Sequence, residues 1–331
     1  YNIMKKRFYL AAFAAMALMS CNEKTVNVQE MPEQAGTVEL KVKVPAASTR
    51  LTGEAADEDK ISNLQVFVFN ESDALEAYGN EDAESLSLTC VPGKKQVVAL
   101  VNAPSLSDIS KLSDLQAEIS YLSDNEAGAL VMASDVLDKE LLAEGDNTMK
   151  IQVTRLAAKV ILGSVTNAMA LESDQSKEFV INAVYLINVA DDARYIADHD
   201  PASWYNKMKY QEDNCLDFLY DAVDQDLPYE EEYSAQHYFY CYPNPTEDDV
   251  QGGTDWSPRL TRLVVEAELG GVLCYYPLTL PIVERNTEYI INLTVTRIGS
   301  SNPDIPVTTG EALFTVTVKD WEDGGERNET I

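Results

Sequence analysis

A chain of 331 residues, 45% of them hydrophobic and 24% charged, can bury one or two sizeable cores without help from metals or dense disulfides. Its formal charge of −30 and pI near 4.2 repel phosphate backbones and anionic lipid headgroups, which excludes a nucleic-acid partner and a charge-driven membrane partner. The same acidity keeps a protein soluble when it is displayed at high local concentration.

The first residues follow different rules. Lys5, Lys6 and Arg7 form a basic stretch directly after Met4, with Tyr1 to Ile3 read as an upstream extension, and an apolar run extends from Phe8 to Met19. That run has the length of a signal-peptide core and is too short to span a bilayer, so residues 1–20 are predicted to be a signal peptide. It ends in Leu18-Met19-Ser20-Cys21, which is similar to the lipobox of bacterial lipoproteins. In that reading the Cys21 thiol is lipidated by lipoprotein-processing enzymes and becomes the new N-terminus. The alternative is an ordinary signal peptide that happens to contain a cysteine. Residues 21–36, polar and containing Pro32 and Gly36, read as a tether. No later apolar stretch has the length of a membrane-spanning helix, so any membrane contact is expected only through the lipid anchor of the precursor.

Next comes Thr37-Val38-Glu39-Leu40-Lys41-Val42-Lys43-Val44, a strict period-two alternation ended by Pro45. It puts Val38, Leu40, Val42 and Val44 on one face of a half-buried strand. Ala46 to Asp59 reads as an exposed loop around Arg50. Leu64 to Phe69 is apolar throughout and reads as a central strand, and Gln96 to Val101 as another. Ser107 to Leu122 shows helical spacing at Ile109, Leu112, Leu115 and Ile119. Alternation returns at Lys150 to Val153, and an apolar run follows Arg155. A domain boundary is placed there, giving domains at 37–155 and 156–331.

The second half opens with a β-rich run from Phe179 to Val189. A polar, aromatic and acidic insertion follows at about 191–233, read as loop with short helices. Strands are predicted at His237 to Tyr242, Arg262 to Glu268, Leu273 to Leu280, Tyr289 to Thr296 and Leu313 to Val318. Turn signals between strands throughout predict a mainly β protein of two β-sandwich-like (transthyretin-like) domains in tandem, with a few short helices.

Catalytic signatures are missing. The chain has no Gly-x-Ser-x-Gly elbow, no His-Glu-x-x-His pair and no Gly-rich phosphate loop, so neither an enzyme nor a bound cofactor is expected. His237 sits in a strand-like aromatic run and reads as a packed residue; His199, in Asp198-His199-Asp200, reads as part of a solvated loop. The acidic runs at Glu230–Glu232 and Glu247–Asp249 match no EF-hand and read as solvated charge. Cys90, Cys215, Cys241 and Cys274 have no zinc spacing; they are open to three disulfide pairings or to a free, buried state. Tyrosine is abundant, 17 residues, and several lie in the insertion, where they suit a carbohydrate or protein contact or a β-domain rim.

Several segments in order resemble one family. The lipobox at Cys21, the first strand with the Arg50 loop, Ile61 to Phe69, Arg155-Leu156-Ala157-Ala158-Lys159-Val160, Tyr238 to Asn244, Glu284 to Tyr289 and Trp321 together resemble the fimbrillins, subunits of the type V pili of Bacteroidetes-like bacteria. The resemblance implies an outer-membrane lipoprotein precursor whose N-terminal strand is cut away by an arginine-specific protease, and Arg50-Leu51 is the matching bond. It implies polymerisation with other copies or related fimbrial subunits into a cell-surface fimbrium. Ala312, Phe314, Val316 and Val318, in a C-terminal strand at about 311–321, repeat the rhythm of the first strand. They are the expected donor residues, with Thr315, Thr317 and Lys319 facing water. A competing reading is a monomeric surface lipoprotein, or an anchor subunit, that binds glycans or host proteins and keeps its Cys21 lipid.

Overall fold

The computed structural model describes residues 36–45, 58–126, 128–247, 256–321 and 326–329. The signal peptide, Cys21, the tether, Arg50 and Leu51 lie outside these residues. The described chain is mainly β, with two short α-helices.

The first half is a sandwich of a small sheet on a larger one. Val38–Lys43 is the middle strand of the small sheet. It runs antiparallel to Ser85–Cys90, with Leu40 opposite Leu88 and Val42 opposite Leu86, and parallel to Thr148–Lys150, with Val42 beside Met149. The larger sheet is built on Leu64–Phe69, flanked by Leu75–Glu81 and Gly93–Val101; Met132–Ala133 and Leu137–Leu141 both pair with Gly93–Val101.

Every residue of Leu64–Phe69 is buried, which explains why its sequence does not alternate. Leu64, Val66 and Val68 face the small sheet, meeting Leu40, Val42, Val44, Leu86 and Leu88 in one apolar cluster. Phe67 and Phe69 point the other way, into the main core shared with Leu112, Leu115 and the second half. The backbone connection at Arg155 is therefore crossed by continuous apolar packing.

In the second half Ala158–Asn167 lies parallel to Thr287–Val295 and antiparallel to His237–Cys241. Parallel neighbours need a long crossover, and here the chain between them builds the facing sheet. That sheet has the order Tyr220–Asp226, Phe179–Ile187, Arg262–Leu269, Val272–Thr279. Its last hairpin turns at Gly270 and Gly271, whose φ values of 58° and 77° suit a two-residue turn with both central residues left-handed. Ala312–Asp320 pairs along its whole length with Thr287–Val295, and Glu326–Glu329 adds a further strand outside it.

Three expectations are corrected. The helical spacing over Ser107 to Leu122 yields only the six-residue helix Leu112–Ala117. Asp114 starts it by accepting from the backbone N–H groups of Ser110 and Lys111 at 3.1 and 3.0 Å. It ends early because Ile119–Tyr121 is taken as a strand by Asp192–Arg194, a non-local pairing that overrides local periodicity. The stretch 191–233 is also more regular than a loop insertion. Tyr220–Asp226 within it is an edge strand of the second-half sheet, paired with Phe179–Ile187. Lys150 to Val153 leaves its strand at Lys150, although Ile151 and Val153 remain buried.

Candidate functional site

Two strands carry the candidate site, one near each end of the described chain. Leu40, Val42 and Val44 are at most 1% exposed and Val38 is half-buried, while Glu39, Lys41 and Lys43 face outward. Each fully buried aliphatic side chain contributes about 1.5–3 kcal/mol. The strand is bonded on both sides, so it fills a slot rather than an edge. Without it, the facing backbone groups of Ser85–Cys90 and Thr148–Lys150 and the apolar floor of Val66, Val68, Val97 and Ala99 would be open. The parallel contact with Thr148–Lys150 had no local signal in the sequence, because it joins residues about a hundred positions apart.

The C-terminal strand presents Ala312 and Val316 as buried residues, with Phe314 and Val318 half-buried against the main core. Its other face is less wet than alternation predicts: Thr317 and Lys319 are half-buried, while Leu313 is 53% exposed. Within this chain the strand is already engaged, with Phe314 opposite Leu293 and Val318 opposite Tyr289.

The remaining candidates are structural. His237 Nδ1 lies 2.9 Å from Asp221 Oδ2 and its Nε2 lies 2.7 Å from the Tyr233 hydroxyl. His199 meets Asp192 at 2.5 Å, and Asp192 also accepts from the backbone N–H groups of Ala202 and Ser203. Burial pushes the Asp192 carboxyl up, but His199 and these donors outweigh it and hold it below the ordinary carboxylate range. The pair pins a loop. Among the described residues no group of His, Cys, Asp and Glu is arranged to hold a metal.

Cys90, Cys215, Cys241 and Cys274 are all free thiols. Burial pushes the Cys241 thiol up to about 12 and, with Glu76 nearby, that of Cys90 to about 11, so neither is a nucleophile at neutral pH. Of the insertion tyrosines, Tyr210 and Tyr220 stack on each other at 4.3 Å and both lie against Tyr185. They cover the outer face of the second-half sheet, with Tyr185 donating to Glu266 at 3.2 Å.

The described chain is thus mainly β, with its N-terminal strand held in a two-sided slot between Ser85–Cys90 and Thr148–Lys150. Residues 36–182 match the family model described as major fimbrial subunit protein (FimA). A major fimbrium subunit, FimA type-2, of Porphyromonas gingivalis is 21% identical over 93% of this chain and 95% of its own length. A solved fimbrilin of the same organism superposes with a TM-score of 0.59 at 15% identity, covering 88% of this chain and 98% of its own. The C-terminally truncated tip fimbrial protein Mfa3, also from Porphyromonas gingivalis, gives 0.55 at 12% identity, covering 86% and 100%. The chain is thus similar, over most of its length, to subunits of bacterial fimbriae.

Proposed function

We propose that this chain is exported as a lipoprotein acylated at Cys21, cut after Arg50 by an arginine-specific protease, and polymerised into a cell-surface fimbrium by strand exchange between copies or related subunits. The observation that carries this reading is the position of Val38–Lys43, buried on its apolar face and bonded along both edges. Loss of such a strand leaves unpaired N–H and C=O groups over an open core, which strongly favours strand addition.

The C-terminal strand of a neighbour suits the slot. Entering in the direction of Val38–Lys43, it sets Ala312, Phe314, Val316 and Val318 at the places of Val38, Leu40, Val42 and Val44. A slip of two residues in one direction would drive Asp320 into the place of Val44, a fully buried site, at the cost of desolvating a charge. That penalty disfavours the slip and favours this register. Head-to-tail insertion is a contact that does not close on itself, so it builds a filament.

The test is the N-terminus and mass of the protein taken from the native cell surface. A chain starting at Leu51 within heat-resistant, high-mass assemblies is the expected result. A monomeric chain that still begins at lipidated Cys21 would overturn the processing step and leave a lipid-anchored binding protein or anchor subunit.

A further inference from the structure

Where the described chain resumes after the first strand, it enters a buried set of charges. Glu58 is 1% exposed; its carboxylate takes Lys159 Nζ at 2.8 Å and the Tyr240 hydroxyl. Asp59 pairs with Arg155, itself fully buried, and Arg155 Nη1 also donates to Asn286 Oδ1 at 3.1 Å. Glu288 stands 3.8 Å from Lys159 and opposite Lys319 in the strand register. Three carboxylates thus balance three cations on the face of the C-terminal sheet.

Trp321, the residue that follows Ala312–Asp320, closes this set. Its ring lies 4.5 Å from the Arg155 guanidinium and 5.6 Å from Lys159 Nζ, stacks on Tyr240 at 6.2 Å, and is 6% exposed. Its backbone N–H donates to Asn286 O at 3.1 Å, so Asn286 bonds both Arg155 and Trp321. The two cations therefore have carboxylates of Glu58 and Asp59 as counter-charges and the ring at the end of the C-terminal strand as cover.

We propose that Glu58, Asp59, Arg155, Lys159 and Trp321 form a clasp that holds the C-terminal strand on its own sheet, its grip set by the segment that enters at Glu58. Withdrawing Trp321 uncovers two desolvated cations. Moving Glu58 and Asp59 away strips the same cations of their counter-charges, and buried charges tolerate neither change well. Coupling of this kind is reciprocal: whatever loosens one end loosens the other. The consequence for assembly rests on the strand-exchange reading, because it links the chain just downstream of the Arg50–Leu51 bond to release of the donor strand. The clasp itself is a property of the single subunit.

It is tested on the unassembled full-length chain by amide hydrogen exchange, which needs no fibre. Glu58→Gln removes one charge and keeps an acceptor for Tyr240 and Lys159. It is expected to speed exchange of the Ala312–Asp320 amides by about tenfold, a local opening, and to leave Val38–Lys43 unchanged. Unchanged exchange at Ala312–Asp320, or equal acceleration in both sheets, overturns the clasp. Trp321→Leu keeps every charge and makes the reciprocal test should the first variant not fold. Faster exchange is expected at the Ser62 amide, which Asn102 holds at 2.8 Å just beyond Asp59. Faster exchange at Ala312–Asp320 with Ser62 unmoved overturns the coupling.

Discussion

Phe314 lies directly opposite Leu293 in the antiparallel ladder of the chain's own C-terminal sheet. The strand proposed to serve a neighbour is thus fully paired at home, and donation is an exchange of one ladder for another. Because Phe314 is half-buried against the main core, Phe314→Asp touches both states. The variant is expected to fold as a monomer, less stable by about 1–3 kcal/mol, and to form no fibres, because at the place of Leu40 the carboxylate would be fully buried. Denaturant titration with size-exclusion chromatography checks both parts; fibres formed at wild-type yield would remove Phe314 from the donor set.

Leu40→Ala separates precursor from fibre. Truncating a fully buried leucine costs about 2–5 kcal/mol, so the uncut chain is expected to unfold at a clearly lower denaturant concentration. In the proposed processing, removal of the residues up to Arg50 takes the substitution with them. Fibres made from the variant are then expected to resist heat and denaturant as wild-type fibres do. Weakened fibres would mean that the first strand stays in the assembly.

Glu266 gives a pH prediction. Burial, with the nearby Glu268 adding to it, raises the Glu266 carboxyl above the ordinary carboxylate range, against the hydrogen bond from Tyr185. A carboxyl raised on folding binds more protons in the native state, so its contribution to stability falls as pH rises from the ordinary value through the raised one. Glu266→Gln still accepts from Tyr185. It is expected to be more stable than the parent at pH 7 and to lose that advantage below the ordinary carboxylate range. Paired melting curves at pH 3.5 and 7 decide it, and an advantage equal at both pH values contradicts the assignment.

Gly299 probes close packing near the second-half sheet. A Cβ there would sit 2.3 Å from the backbone oxygen of Tyr275, and the Tyr275–Ser300 bridge fixes that backbone. Neither side can yield cheaply, so Gly299→Ala is expected to cost about 1–3 kcal/mol by overpacking. Equilibrium unfolding reads it directly. Gly36, with open space around its Cβ position, is the matched control.

The legible parts of this protein were those written in local period. The alternation of Val38 to Val44, the unbroken apolarity of Leu64 to Phe69 and the run of strands from His237 onward each depend on which face of a short segment is buried, and that shows within a few residues. The resemblance to fimbrillins likewise rested on short segments in order. Partners are not local. Nothing near Ile119 announces that Asp192–Arg194 will take it from a helix, and nothing near Tyr220 announces an edge strand inside an acidic stretch. Only the tertiary structure decided that Val38–Lys43 is flanked on both sides, and that Glu58 and Asp59 meet Arg155 and Lys159 beneath Trp321. Side-chain period is a property of one strand, whereas pairing and charge burial depend on which distant segments the folded chain brings together.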